Sequence, residues 1–309
     1  MYLSYFNLKR SPFEITPDPS FLFPTRRHNE ALATLYYGVE RRKGFVVLTG
    51  EVGTGKTLLL RCLLQLLKYR KDTEYAYVFN GRLSPIEFLQ YVAADFGLST
   101  ANKNKSELLM ELVRFVIARS QKNLTNVLVI DEAHHLSPDI LEEIRLLTNL
   151  ETSQSKLLQI LLVGQPELDD KLDSTELRQL KQRIAFRAHL MPLDLAETQQ
   201  YIERRLKLAG ADSDGCLLFP APASTAVYRH SRGIPRLINT ICENALISAY
   251  AKQSKVVTPE IIDSIAIDFR LGVVRQPEVQ KPNLANENDV RKAARTLLEL
   301  IEKPPAAVQ

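Results

Sequence analysis

Cysteine is too scarce here for a disulfide framework. The three residues, Cys62, Cys216 and Cys242, are odd in number and widely spaced, which also excludes a zinc-type ligand pattern. Cys62 and Cys242 fall in apolar helical stretches and read as small core residues. No apolar run approaches the roughly 18 residues that mark a membrane span. Leucine clusters such as 58–67 are interrupted by Arg61 and Gln65. The opening MYLSYFNLKRSPF lacks the apolar core of a secretory signal. Extreme charge is missing too. A net +4 over 309 residues permits contact with nucleic acid or acidic lipid without arguing for either. With 45% hydrophobic and 25% charged residues the composition is that of an ordinary globular protein. The length suits one sizeable domain and a smaller one. The expected compartment is the cytoplasm, at most peripheral to the inner membrane.

Glycine is also sparse, 12 residues in all, yet four lie between Gly44 and Gly55. They punctuate FVVLTGEVGTGKTLLL, residues 45–60, which reads as an apolar strand, a glycine-rich turn and the start of a leucine-rich helix. Within it Gly50, Glu51, Val52, Gly53, Thr54, Gly55, Lys56 and Thr57 match the P-loop pattern, with Leu58 continuing into the helix. Glycines let backbone N–H groups converge on phosphate oxygens, and the helix N-terminus adds partial positive charge. Lys56 is expected to reach the β- and γ-phosphates, and Thr57 to hold Mg²⁺.

Upstream, residues 1–25 are rich in proline and aromatics and read as an extended strap laid over a body elsewhere. Apolar spacing from 25 to 42 predicts a helix leading into the first strand. Strands at 45–49, 75–80, 127–131, 157–163 and 188–193 then alternate with helices at 56–69, 85–96, 106–119 (N-cap Ser106) and 137–150. That alternation predicts an α/β fold, a parallel sheet covered on both faces, over residues 26–193. Helices alone follow, at 196–209, 223–229, 235–252 and 259–269, with Asp194 and Thr258 as N-caps. They make a smaller helical lid over 194–270. Residues 271–309 read as a polar linker and a short terminal helix striped by Val290, Ala294, Leu297, Leu298 and Ile301.

The run Val127-Leu128-Val129-Ile130-Asp131-Glu132 brings two acids to the C-terminal end of a buried strand, where open α/β sheets bind ligands. Asp131 is the expected Mg²⁺ residue and Glu132 the group that polarises the attacking water, which makes hydrolysis the expectation. Gln165, at the end of the next strand, either orients that water or forms a turn before Pro166. Arg183, with Arg178 second, sits where a neighbouring subunit's nucleotide would meet it, or else belongs to a solvated basic face. Arg236 stands in the first turn of a helix, where the dipole disfavours a cation; a γ-phosphate partner explains it. Asp131-Glu132-Ala133-His134 spells a helicase box without that class's second lobe. Two adjacent histidines give no metal geometry. Asp95-Phe96-Gly97 lacks every accompanying kinase segment. Asn102-Lys103-Asn104-Lys105 lacks the acid of a guanine-reading loop, so ATP is favoured over GTP.

The order of these motifs resembles the AAA+ ATPases, and more closely the ExeA/GspA and MshM group of secretion- and pilus-associated ATPases. The resemblance rests on Tyr5-Phe6-Asn7-Leu8, Pro12-Phe13 and Pro17–Phe23 of the strap, the P-loop, Ile130–Ala133, Val163–Leu168, Leu180–Ile184 and Gly233–Asn239. It implies a P-loop αβα core with a helical lid, ATP and Mg²⁺ as cofactors, a hexamer-like homo-oligomeric ring and membrane-associated pilus or secretion proteins as partners. ExeA-type proteins continue into a membrane span and a peptidoglycan-binding region, and this sequence stops at Gln309, which favours the shorter MshM-like form. TnsC-like transposition ATPases share the core, and imply an ATP-dependent DNA-binding regulator as the alternative.

Overall fold

Five apolar runs form one parallel sheet in the computed structural model, which describes residues 1–16, 18–79, 82–153, 155–211 and 215–271. The strands are β1 (Phe45–Gly50), β2 (Thr73–Val78), β3 (Thr125–Ile130), β4 (Leu158–Gly164) and β5 (Phe186–Leu190), in spatial order β2-β3-β4-β1-β5. Strands β1, β3 and β4 are buried along their whole length. Parallel strands need crossover helices, and these cover both faces of the sheet.

A one-turn helix α1 (Tyr2–Tyr5) opens the chain, and α2 (Arg26–Glu40) leads into β1. Helix α3 (Lys56–Tyr69) follows β1. Helices α2 and α3 pack Leu35, Val39, Leu59, Leu60 and Leu63 against Val46 and Leu48. The alternate residues Phe45 and Val47 face the other core, as the two-residue side-chain period of a strand requires. That second core is closed by α4 (Pro85–Asp95), α5 (Lys105–Gln121), α6 (Pro138–Leu147), α7 (Glu167–Leu172) and α8 (Arg178–Lys181). Emptying one such fully buried leucine to alanine costs about 2–5 kcal/mol. After β5 the chain is helical: α9 (Leu195–Leu208), α10 (Gly215–Leu218), α11 (Ala221–Ser231), α12 (Pro235–Ala251) and α13 (Pro259–Asp268). Among the described residues no helix is long and apolar enough to cross a membrane.

The aromatic residues before Thr25 lie against these later helices. Phe13 is fully buried and meets Phe219 edge-on at 5.7 Å; Phe23 meets Tyr201 in the same way. The stretch is not wholly extended as expected. It carries α1, which has no proline to break it, and a 3₁₀ turn at Pro19–Phe21, where Pro19 takes the tolerated first position. Edge strands account for two shifts in register. Strand β2 runs 73–78, not 75–80, with 80 outside the described residues; β5 runs 186–190, not 188–193. Both are only partly buried, so their apolar pattern marks the ends poorly. Helix α5 is capped by Asn104 in a reciprocal box with Glu107, two residues ahead of the expected Ser106. Asp194 caps α9 in the same manner, each box contributing about 1 kcal/mol. The terminal helix expected near Val290 lies outside the described residues.

Beyond β5 the chain is tied to the entrance of α12. Leu193 N donates to Gly233 O at 2.9 Å. Gly233 has φ +74°, and a Cβ there would lie 1.8 Å from the Leu193 carbonyl oxygen. Only glycine meets both demands.

Candidate functional site

The turn between β1 and α3 is the glycine-rich run, and its shape is set by what lies opposite. Gly53 has φ +82°, and a Cβ on it would fall 2.7 Å from the Cβ of Arg236. The Arg236 amide donates to Gly53 O at 3.2 Å, so the first turn of α12 is bonded to the tip of the loop. Thr54, fully buried, closes the turn by donating from Oγ1 to Glu51 O at 2.8 Å. From behind, His28 Nε2 donates to Thr54 O at 3.4 Å while its Nδ1 pairs with the Thr25 hydroxyl at 2.7 Å. With Nε2 committed to a carbonyl, Nδ1 is left to accept, which is the pattern of a neutral imidazole. Burial likewise pushes its pKa down.

Lys56, the first residue of α3, is buried and folds back over the loop. Its Nζ donates to Gly50 O at 2.6 Å and Glu51 O at 2.9 Å. Burial lowers its pKa, and the carboxylates of Glu132, Asp131, Glu51 and Glu167 act in the opposite direction. One residue on, Thr57 Oγ1 donates to Asp131 Oδ2 at 3.0 Å. Asp131 is buried just beyond the end of β3, and its Oδ1 accepts the Glu132 amide at 2.9 Å. Glu132 takes the left-handed conformation at φ +53°, a cost of about 1–3 kcal/mol for a non-glycine residue. Its side chain is partly exposed, yet Oε2 is buried and has no hydrogen-bond partner among the described residues.

A cavity of about 410 Å³ opens over these groups. Val52, Gly53, Gly55, Lys56, Thr57 and Leu58 form its floor, Glu132 one side, and Arg236 the opposite wall. Gly50, Glu51 and Thr54 shape the loop without lining the cavity, and Asp131 stands one hydrogen bond behind Thr57. Gln165 is drawn towards the same end of the sheet, where its backbone N–H donates to His134 Nδ1 at 3.4 Å. Its side chain does not line the cavity. Arg183 is exposed and sits at the far end of the strands, where Ala185 N donates to Phe45 O; the Glu151 carboxyl there is held below its ordinary pKa chiefly by Lys156 and least by Arg183. Arg178 is exposed on α8.

The sequence reading missed the remaining wall. Ile15, Thr16 and Asp18 reach it from the strap, Tyr201 and Arg205 from α9, and Asn239 from α12. Arg205 is the clamp. It is buried, its Nη1 donates to Pro12 O at 2.9 Å and Glu14 O at 3.3 Å, and its guanidinium lies 4.6 Å from the Phe21 ring centre. Its Nε has no partner among the described residues. Tyr77 was also missed; its hydroxyl donates to Asp131 Oδ2 at 2.9 Å.

The donor set suits a nucleoside triphosphate and a divalent cation. It offers a backbone cradle with no room for a Cβ at Gly50 or Gly53, a buried ammonium, a hydroxyl–carboxylate pair and a buried carboxylate oxygen with no hydrogen-bond donor among the described residues, 3.4 Å from His134 Nδ1.

Residues 39–172 match the family model described as AAA domain. The chain carries an AAA domain over these residues. Its fold is that of a P-loop NTPase, a five-stranded parallel sheet with helices on both sides. It is similar to General secretion pathway protein A of Aeromonas hydrophila, with 45% identity over 263 residues, 84% of this chain and 47% of that one. It is also similar to the Mu-like prophage FluMu DNA transposition protein B of Haemophilus influenzae, with 26% identity over 155 residues, 48% of this chain and 50% of that one. The chain thus spans about half the length of the curated relatives it matches. Among solved structures, Cdc6p of Pyrobaculum aerophilum superimposes with a TM-score of 0.62 at 20% identity, covering 84% of this chain and 70% of that chain. At that identity the likeness concerns the fold of the AAA domain.

Proposed function

We propose that this AAA-domain protein binds ATP with Mg²⁺, hydrolyses it to ADP and phosphate, and assembles with ATP into a homo-oligomeric ring that assists secretion or pilus machinery. One observation carries the chemistry: Lys56, Thr57, Asp131 and Glu132 converge on one cavity whose far wall is Arg236. Thr57 and Asp131 hold the cation, which when bound neutralises developing charge on the phosphate oxygens. Lys56 leaves the Gly50 and Glu51 carbonyls to meet the phosphates. Glu132 accepts a proton from the attacking water through its carboxylate, whose Oε2 lies 3.4 Å from His134 Nδ1. Arg236 reads the terminal phosphate and, through the hydrogen bond from its backbone N–H to Gly53 O, carries that state into the lid helices. Gln165 orients the water together with His134. Arg183, exposed and remote from its own cavity, completes the site of a neighbouring subunit.

Similarity to General secretion pathway protein A supports work on a secretion apparatus. The likeness to a DNA transposition protein supports a second reading, an ATP-switched DNA-binding regulator. Purified Glu132→Gln tests the first. It is expected to retain ATP, lose turnover by about a hundredfold or more, and accumulate as an assembled species in light scattering. Parental turnover in that variant would falsify the assignment of Glu132. Assembly with a non-hydrolysable ATP analogue, with and without double-stranded DNA, separates the two readings. A species that forms only with DNA favours the second, and a persistent monomer with or without DNA sinks the ring.

A further inference from the structure

Asp131 is held by more than the P-loop helix, and the additional holder lies on the edge strand. Tyr77 pairs with Val129 in the β2–β3 register. Side chains two residues apart share a face, so Val129, Asp131 and Tyr77 all point towards α3, where Thr57 waits. The Tyr77 hydroxyl donates to Asp131 Oδ2 at 2.9 Å, the oxygen that also accepts from Thr57 at 3.0 Å. With the Glu132 amide on Oδ1, three donors from three different segments grip one carboxylate. Turning that carboxylate would break all three bonds.

The backbone of Tyr77 is fixed as well. Its amide, on the open edge of the sheet, donates to Asp95 Oδ2 at 2.6 Å. Asp95 ends α4, so the Asp-Phe-Gly triplet that mimics a kinase motif covers an otherwise unpaired edge donor.

We propose that Tyr77 is a positioning residue for the cation site: its hydroxyl fixes Asp131 in the orientation that receives a divalent ion, and steadies Glu132 through the hydrogen bond from the Glu132 backbone N–H to Asp131 Oδ1. The inference rests on the reading of Thr57 and Asp131 as the cation's holders. A buried tyrosine hydroxyl needs a partner in any case, so a purely structural role would move stability alone. A positioning role moves metal affinity. Partners one step behind a metal's ligands typically govern it about 10- to 100-fold.

Tyr77→Phe keeps the ring and deletes the hydroxyl. With a non-hydrolysable ATP analogue bound, Mn²⁺ affinity read by electron paramagnetic resonance is expected to weaken about tenfold. Affinity for a fluorescent ADP analogue in excess chelator is expected to stay at the parental value. Asp131→Asn is the companion. If Asp131→Asn weakens Mn²⁺ and Tyr77→Phe does not, the Tyr77 inference is overturned while the cation site stands. If neither variant changes Mn²⁺ affinity, the cation site fails and the inference fails with it. If Tyr77→Phe loses affinity for the fluorescent ADP analogue without metal as much as it loses Mn²⁺, the role is structural and the inference is overturned. Should Tyr77→Phe not fold, 3-fluorotyrosine placed at 77 replaces it. Its ¹⁹F resonance is expected to shift when Mg²⁺ is added to the analogue complex, and an unmoved resonance overturns the proposal.

Discussion

The two halves of the cavity are built in different ways. The half over the P-loop is made of neighbours in sequence: Lys56 bonds back to Gly50 and Glu51, and Thr57 is joined by Asp131 from β3, on the other side of β4. The other half is made of strangers. Arg205 holds the carbonyl of Pro12, 193 positions earlier, and Asn239 and Tyr201 meet across 38. The first half gathers charge and backbone polarity, whereas the second gathers aromatic rings around one buried guanidinium. The difference teaches where binding strength and where folding stability reside. Damage to the P-loop half should abolish the ligand and spare the fold; damage to the strap half should do the reverse.

Lys56→Ala is the sharpest test of that division. Nucleotide affinity is expected to fall by about a hundredfold or more, since a charge-assisted contact is lost at the site's centre. The melting temperature without nucleotide should barely move. A large fall in melting temperature with affinity retained would break the comparison. Arg205→Met is the counterpart. It leaves the carbonyls of Pro12 and Glu14 without their charged donor, at about 1.5–3 kcal/mol for such a bond. Each kcal/mol corresponds to about 2–4 °C in a domain of this size. The melting temperature should therefore drop by several degrees, with nucleotide affinity changing by about tenfold or less. If affinity falls as far as in Lys56→Ala, the strap half is a binding element of equal weight.

The smallest expected effect concerns acid. His28 has its pKa lowered by burial. The unfolded chain therefore takes up the proton first, near the ordinary histidine value of about 6.5. Its contribution is fully present above that pH and is lost as pH falls towards the lowered folded value. Melting temperature should decline between pH 7.5 and 5.5, and His28→Gln should flatten part of that decline. An identical slope in the variant would remove His28 from the account.

The same contrast explains what could be read in advance. The P-loop was legible because its chemistry is local: eight consecutive residues specify turn, charge and helix start. Asp131 and Glu132 were legible because a buried parallel strand is an unbroken apolar run and its end is easy to see. Tyr77 and Arg205 were not, since nothing near them in sequence announces a partner 54 or 193 positions away. The aromatics of the strap signalled that it would lie on something without saying on what. The Asn104 cap was overlooked although its Glu107 partner stands three residues on, the spacing of a capping box. Edge strands blurred by alternate exposure shifted two boundaries by two residues.

Gly233 carries a consequence for how such a chain can vary. It lies outside the cavity wall, and its importance comes from a missing methyl group. The space where a Cβ would stand is already occupied by the Leu193 carbonyl. Any side chain there would wedge the exit of the sheet away from the entrance of α12, and Arg236, three residues further on, would be carried off the loop tip it touches. The reach of an arginine is thus measured out by a neighbour with no side chain, and a scan restricted to cavity-lining residues would pass it by.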